Sequence, residues 1–190
     1  MQQGGVRTVR SLITYYSRSG ENLVNGVVQY LGIGNTEVLA YILRRFTGAD
    51  IFRIQPVTDY SENYFRCIDQ ARQDLQRNYM PPLKEYPKHF QEYQVIYLGY
   101  PNYWGTMPMP VYTFLSQMDL SGKIIKPFCT HEGGGMGRSE QEIRKLCPQA
   151  QIMEGLPICG TGLNYELSDI EEWAQETNTT SDILSRRNLQ

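Results

Sequence analysis

Long apolar runs, a strong charge of either sign and closely spaced cysteines are all missing from this sequence. No stretch approaches the roughly 18 consecutive apolar residues that a membrane-spanning helix needs, and residues 1–10 contain no apolar segment typical of a secretory signal. We therefore expect no membrane partner and a cytoplasmic location. The 18 basic and 20 acidic residues give a formal net charge of −2, which provides no positive field to attract a nucleic acid. A nucleic-acid partner is not expected.

The four cysteines form no C-x-x-C pair and no spacing typical of a metal site. In a reducing compartment they are expected to be small core residues without disulfides. The chain also contains no G-x-x-x-x-G-K-[ST] motif for a nucleoside triphosphate and no compact G-x-G-x-x-G motif for a dinucleotide. The first predicted strand lacks the acidic pair of a phosphoacceptor receiver domain.

Apolar strand patterns alternate with helical patterns along the chain and predict an α/β fold. Strands are predicted at 11–15, 49–54, 95–98, 124–130 and 152–158, with helices between them and after the last. This alternation predicts a three-layer, doubly wound, five-stranded parallel sheet. A chain of 190 residues is long enough for one such domain, which we place at 1–176, followed by a polar tail at 177–190.

The strand around Ile96 is predicted to lie in the middle of the sheet, because it is apolar on both faces. It ends at Gly99-Tyr100-Pro101, and residues 102–106 then form a loop with two large aromatic side chains, which we call the aromatic loop. Loops at the carboxyl ends of parallel strands bind ligands in open α/β sheets. Tyr103 or Trp104 could stack on a planar ligand, although packing of both rings on the next helix is the alternative.

A second loop follows the first strand and is interrupted. Ser17-Arg18-Ser19 is separated from Gly34-Asn35-Thr36 by a segment that alternates weakly around Asn25-Gly26, the dipeptide that favours a two-residue hairpin turn. We predict a hairpin insertion near 21–32. The hydroxyl groups and backbone N–H groups of this first loop (17–19 and 34–36) could hold a phosphate, or Thr36 could simply cap the next helix. A helix cap at Ser139 is predicted in the same way.

A third loop, 132–137, is nearly all glycine and follows the fourth predicted strand. Glycines let the backbone approach a ligand closely, and the alternative is a flexible loop. His131, just before this glycine-rich loop, could protonate a reduced acceptor near neutral pH. A structural histidine that bonds to the backbone is the favoured interpretation.

These three loops together resemble those of the flavodoxin-like FMN proteins, in particular the small bacterial flavodoxin branch with an S-R-T-G-N-T loop. Here that loop is split into Ser17-Arg18-Ser19 and Gly34-Asn35-Thr36. The resemblance continues in 98–108 and 128–135 and covers the chain from about 11 to 173. It implies strand order 2-1-3-4-5 and a non-covalent FMN cofactor.

The resemblance also implies which residues hold FMN. The phosphate would be held by Ser17, Arg18, Ser19, Asn35 and Thr36; the isoalloxazine would be lined by Pro101, Asn102, Tyr103, Trp104 and Gly105; its pyrimidine side would be closed by Thr130, Glu132, Gly133, Gly134 and Gly135. A solvent-directed side chain is the alternative for Arg18. The insertion departs from the family pattern and could displace Ser19 from the ligand.

A flavin site is compatible with several functions. The first is a redox protein that passes electrons through FMN to a partner protein. The alternatives are an NAD(P)H-dependent FMN or quinone reductase with a quinone-like acceptor, for which a homodimer is favoured, and a flavin-binding regulatory or interaction protein. The mild net charge weakens the carrier interpretation, because electron-carrying flavodoxins are strongly acidic. The sequence therefore leaves open whether the protein is an enzyme.

Overall fold

The computed structural model describes residues 9–160 and 167–176, so the predicted tail at 177–190 lies outside the described residues. In chain order the elements are β1 (Ser11–Tyr15), β2 (Gly20–Val24), β3 (Val27–Leu31), α1 (Asn35–Thr47), β4 (Asp50–Arg53), α2 (Tyr64–Arg77), β5 (Val95–Pro101), α3 (Met109–Gln117), β6 (Ile124–His131), α4 (Ser139–Leu146), β7 (Gln151–Ile152), β8 (Leu156–Cys159) and α5 (Leu167–Gln175). A short 3-10 turn at Phe90–Glu92 precedes β5.

The main sheet is parallel, with the order β4-β1-β5-β6-β7 and with β8 also paired to β6. Numbered by position in the sheet, this is the predicted order 2-1-3-4-5. Strand order and doubly wound class are therefore confirmed.

The last position of the sheet differs from the prediction, because two short strands replace one. Two residues lie between Ile125 and Phe128 in β6, whereas three lie between their partners Ile152 and Leu156, so the outer strand carries one extra residue. At the break, the N–H of Gly155 donates to the carboxylate of Glu140 instead of the ladder, at 2.9 Å. This interruption is a bulge that the sequence pattern did not show.

The central strand β5 is buried on both faces, as predicted. Ile96 and Leu98 belong to a core cluster with residues of α3 and α4, whereas Val95 and Tyr97 belong to a second cluster with residues of α1 and α5. The two clusters lie on opposite faces because side chains alternate along a strand. The sheet is thus covered by helices on both faces, which makes the three predicted layers.

Both predicted serine/threonine caps are wrong. The cap position of α1 is Gly34, and Thr36 lies inside the helix. The cap position of α4 is Arg138, and Ser139 is the first helical residue. In both cases the hydroxyl bonds to a buried hydroxyl of the sheet instead, Thr130 for Thr36 and Tyr100 for Ser139, so tertiary contacts override local capping preference.

The predicted hairpin is present and stands outside the main sheet. Strands β2 and β3 pair antiparallel, and the turn residues Asn25 and Gly26 both have positive φ, 53° and 74°. That is the geometry of a type I′ turn, which Asn-Gly favours. The base of the hairpin is attached to the segment before α2, where the N–H of Glu21 donates to the carbonyl of Glu62 at 2.8 Å.

Candidate functional site

The carboxyl ends of β1, β5 and β6 surround a cavity of about 280 Å³. Its walls come from the first loop, the aromatic loop and the start of the glycine-rich loop, with the hairpin and α2 closing the remaining side. The lining residues are Ser17, Arg18, Asn22, Leu23, Asn35, Thr36, Tyr64, Ile68, Pro101, Asn102, Tyr103, Trp104, Thr130, His131, Glu132 and Gly160.

One end of the cavity is formed by the amino end of α1. Because the helix begins at Asn35, the N–H groups of its first turn have no carbonyl partner within the helix, and they carry the positive end of the helix dipole. The hydroxyl of Ser17 accepts the N–H of Glu37 at 3.2 Å. A Cβ at Gly34 would lie 2.4 Å from that hydroxyl, so only glycine allows this close approach. The N–H of Glu37 also donates to the carbonyl of Gly34 at 3.0 Å, so the N–H groups of Asn35 and Thr36 are the backbone donors that this end offers to an anion.

A buried pair of hydroxyl groups joins this end of the cavity to the sheet. The Oγ1 atoms of Thr36 and Thr130 are 2.7 Å apart, and both residues line the cavity. The pair fixes α1 against the end of β6, so the first loop and the residues before the glycine-rich loop hold a defined relative position.

The aromatic loop is held by the side chain of Asn102. Its amide nitrogen donates to the carbonyl of Gly135 at 2.8 Å, and its oxygen accepts the N–H of Gly105 at 2.9 Å. Trp104 has a positive φ of 55°, and its indole N–H donates to the carbonyl of Ile68 in α2 at 2.8 Å. With 46% of its surface exposed, the indole forms part of the cavity wall.

Tyr103 turns its hydroxyl away from solvent toward α2. The hydroxyl accepts from Nε of Arg18 at 3.4 Å and from the thiol of Cys67 at 3.7 Å. Burial, followed by the neighbouring Cys67, raises the pKa of Tyr103, so the phenol is neutral at physiological pH. The ring therefore presents an uncharged aromatic surface to the cavity.

Arg18 is buried, with only 9% of its surface exposed, so the alternative of a solvent-directed side chain is wrong. One terminal nitrogen donates to the carbonyls of Ser61 and Glu62 at 2.9 and 3.0 Å. The other donates to the carbonyl of Glu21 and, at 3.5 Å, to Oδ1 of Asn22. The side chain thus ties the hairpin to the segment before α2.

The third wall contains His131 and Glu132. The N–H of Gly133 donates to Nδ1 of His131 at 3.0 Å, which agrees with a histidine that bonds to the backbone. Burial lowers the pKa of His131, although Glu132 opposes this shift. Glu132 is exposed at the rim, where one carboxylate oxygen accepts the N–H of Asn25 at the tip of the hairpin, at 3.3 Å. The hairpin therefore reaches across the cavity from α2 to this wall.

Most of the predicted site residues meet in this cavity, and some do not. Ser19, Gly105 and the three glycines at 133–135 are outside the lining set, while the other predicted residues belong to it. The sequence reasoning missed Asn22, Leu23, Tyr64, Ile68 and Gly160 as lining residues, whereas His131, which it considered as a proton donor, does line the cavity. Tyr64 and Ile68 share one face of α2 at helical spacing, and this pattern in the sequence could have identified them.

Among the residues that the structure describes, no group of histidine, cysteine, aspartate and glutamate side chains could hold a metal ion. No helix in the described ranges is both long and apolar enough to cross a bilayer.

The chain matches a known protein family and is similar to several solved structures. A family model described as Flavodoxin matches residues 25–177. The structure resembles a candidate flavoprotein from Bacteroides eggerthii DSM 20697 with a TM-score of 0.70 at 23% identity, covering 93% of this chain and 98% of that one. A candidate flavoprotein from Bacteroides uniformis ATCC 8492 gives 0.70 at 20% identity, covering 90% and 100%.

A flavoprotein from Lactobacillus acidophilus NCFM, solved in complex with FMN, gives a TM-score of 0.65 at 18% identity, covering 87% of this chain and 99% of that one. At these identities the likeness shows a shared fold. No curated protein matches the chain in sequence.

Proposed function

The chain belongs to the flavodoxin family, and we propose that it binds FMN without a covalent link in this cavity and transfers electrons through it. The observation that supports this most strongly is that one cavity combines the amino end of α1 with an aromatic wall from the aromatic loop and α2. FMN has an anionic end and a flat aromatic end, so it requires both surfaces in one site.

The anionic end fits the first loop. Ser17, Asn35 and Thr36 line the cavity at the amino end of α1. A phosphate at this position would accept backbone and hydroxyl donors and would interact favourably with the helix dipole. Because Gly34 has no Cβ, the two parts of this loop can lie close together around the anion. We propose that these residues bind the phosphate.

The flat end fits the opposite part of the cavity. Tyr103 and Trp104 supply aromatic surface, and Leu23 with Ile68 supplies aliphatic surface from the hairpin and α2. Offset stacking on an aromatic ring contributes about 0.5–1.5 kcal/mol beyond burial. The hydrogen bond from Trp104 to the carbonyl of Ile68 fixes the indole, so little side-chain entropy is lost on binding.

When bound, FMN would supply a ring that accepts and releases electrons reversibly. The aromatic loop and the hairpin would orient this ring, and the hairpin would reduce the access of water to it. His131 is neutral at physiological pH and bonded to the backbone through Nδ1, so we assign it a positioning role.

FMN binding is tested by titrating the protein with FMN while following tryptophan emission, since the chain has two tryptophans in different places. Trp104 lines the cavity, whereas Trp173 packs on Tyr97 in the other core cluster. We expect a dissociation constant below micromolar, a binding free energy of about 8 kcal/mol or more. FMN should quench the emission of Trp173→Phe strongly and that of Trp104→Phe weakly. Equal quenching of both variants would place FMN elsewhere, and no binding would refute the proposal.

Electron transfer is tested on the FMN complex under anaerobic conditions. For a carrier, we expect chemical reductants to bleach the flavin bands and NADH or NADPH to leave them unchanged. Rapid bleaching by either nucleotide would instead establish the reductase alternative. If FMN binds but cannot be reduced and reoxidised reversibly, a regulatory or interaction role would replace electron transfer.

A further inference from the structure

The side chain of Arg18 extends away from the rest of the first loop. Its guanidinium contacts Tyr103 of the aromatic loop, Glu21 and Asn22 of the hairpin, and the carbonyls of residues 61 and 62 before α2. None of these acceptors belongs to the amino end of α1, where Ser17 and Thr36 lie. The charge therefore sits at the aromatic side of the cavity.

The hydrogen-bonding capacity of Arg18 is already used by the protein. Nε donates to Tyr103, one terminal nitrogen donates to two backbone carbonyls, and the other donates to a carbonyl and an amide oxygen. Every N–H group of the guanidinium thus has a protein acceptor. In this arrangement Arg18 contributes charge to a ligand rather than hydrogen bonds.

That charge has no acidic partner within ion-pair distance among the residues that the structure describes. All of its acceptors are neutral groups, and the guanidinium is largely removed from solvent. A buried charge interacts with its surroundings through a low effective dielectric constant, so it acts over longer distances than a surface charge. An arginine also stays protonated at any physiological pH.

The other side chains that line the cavity do not cancel this charge. Within the described lining, Glu132 is the acidic residue, and it is exposed at the opposite rim, where solvent screens it. The remaining lining side chains are polar, aromatic or aliphatic and carry no charge at neutral pH, His131 included. Among the described lining residues, Arg18 therefore supplies the buried charge.

We propose that Arg18 sets the reduction potential of the bound cofactor by stabilising its reduced form, and that it does not serve as a phosphate ligand. This inference rests on the proposed function. Reduction of FMN by two electrons, with uptake of one proton, adds one negative charge to the cofactor. A fixed cation at the aromatic side of the cavity lowers the free energy of that state relative to the oxidised one, so reduced FMN binds more tightly and the potential rises.

The test compares the FMN affinities of the oxidised and reduced states in two variants of the full-length protein, with dithionite as the reductant. Arg18→Gln removes the charge and keeps some hydrogen bonding, whereas Arg18→Lys keeps the charge and loses the planar fork. We expect Arg18→Gln to weaken the binding of reduced FMN at least about tenfold more than that of oxidised FMN, which lowers the midpoint potential by about 30 mV. Arg18→Lys should weaken both states equally and keep the potential.

Equal weakening of both states in Arg18→Gln, or the same potential shift in Arg18→Lys, would overturn the proposal and leave Arg18 as a structural tie. The wild-type protein provides a measurement that does not depend on folding of a variant. It should bind reduced FMN at least as tightly as oxidised FMN. If the wild-type protein bound reduced FMN about tenfold more weakly than oxidised FMN, or if its potential lay about 30 mV below that of free FMN, the proposal would also be overturned. If wild-type protein binds no FMN, the proposed function fails instead.

Discussion

Ser139 connects the glycine-rich loop to the centre of the sheet, and its replacement by alanine gives a sharp test of the buried polar structure. Its hydroxyl accepts the proton of the Tyr100 hydroxyl at 2.8 Å and donates to the carbonyl of Met136 at 2.6 Å. Both Tyr100 and Ser139 are fully buried. The chain of bonds therefore runs from the end of β5, just before the aromatic loop, to the turn that precedes α4.

The expected loss of folding stability differs between replacement of Tyr100 and replacement of Ser139. Tyr100→Phe removes one hydrogen bond and leaves Ser139 bonded to Met136, so it should destabilise the protein by about 1 kcal/mol. Ser139→Ala removes the bond to Met136 and leaves the Tyr100 hydroxyl buried without its partner. A buried hydroxyl without a partner costs about 1–3 kcal/mol, so the total should be about 2–3 kcal/mol.

The double variant separates these contributions. With Tyr100→Phe in place, Ser139→Ala no longer leaves a buried hydroxyl without a partner, so the destabilisation that it causes should fall to about 1 kcal/mol. Urea unfolding of the four proteins without FMN measures the cycle. For a slope of about 2 kcal/mol per molar urea, Ser139→Ala alone should lower the midpoint by about 1–1.5 M. Strictly additive costs would show that the two hydroxyl groups are not coupled and would refute the reasoning.

Two further predictions concern the cavity walls. A Cβ at Gly160 would lie 2.3 Å from Nδ2 of Asn35, so Gly160→Ala should displace that side chain and weaken FMN binding about tenfold. Gly32→Ala is the control, because the space around Gly32 is open, and it should leave FMN binding unchanged. FMN titration of both variants checks this. Burial lowers the pKa of His131, so the folded protein resists protonation there and loses stability as the pH falls below about 6.5 toward that lowered value. Urea midpoints should therefore fall less on acidification in His131→Asn, whose amide oxygen can still accept the N–H of Gly133, and an unchanged pH profile would contradict this.

The sheet was predictable because its signals are local. The run around Ile96 is apolar on both faces and is bounded by glycine and proline, so a central buried strand follows from the sequence alone. The turn at Asn25-Gly26 was equally local, since only residues that tolerate positive φ form it. The bulge between β7 and β8 was not predictable, because it depends on the Gly155 N–H finding a carboxylate on α4.

The missed part of the site depends on contacts between distant segments. The carboxylate of Glu21 accepts the N–H of Tyr64 and the side-chain amide of Asn63, at 3.0 and 2.7 Å, and this places the hairpin beside α2. The helical spacing of Tyr64 and Ile68 marks one face of α2, but no motif in either segment predicts that this face meets the hairpin. Arg18 illustrates the same limit, because its burial follows from acceptors on the hairpin and before α2 that only the folded chain brings together.

The same contacts bear on the oligomeric state expected for the reductase alternative. The reductase alternative favours a homodimer, because a neighbouring subunit could supply the second wall of a flavin site. In this chain the hairpin and α2 supply a wall from within, through Leu23, Tyr64 and Ile68. A second copy is then not needed to complete the cavity, so FMN affinity should be independent of protein concentration. Affinity that falls on dilution, in parallel with dissociation of a dimer measured by light scattering, would show that the partner copy contributes to the site after all.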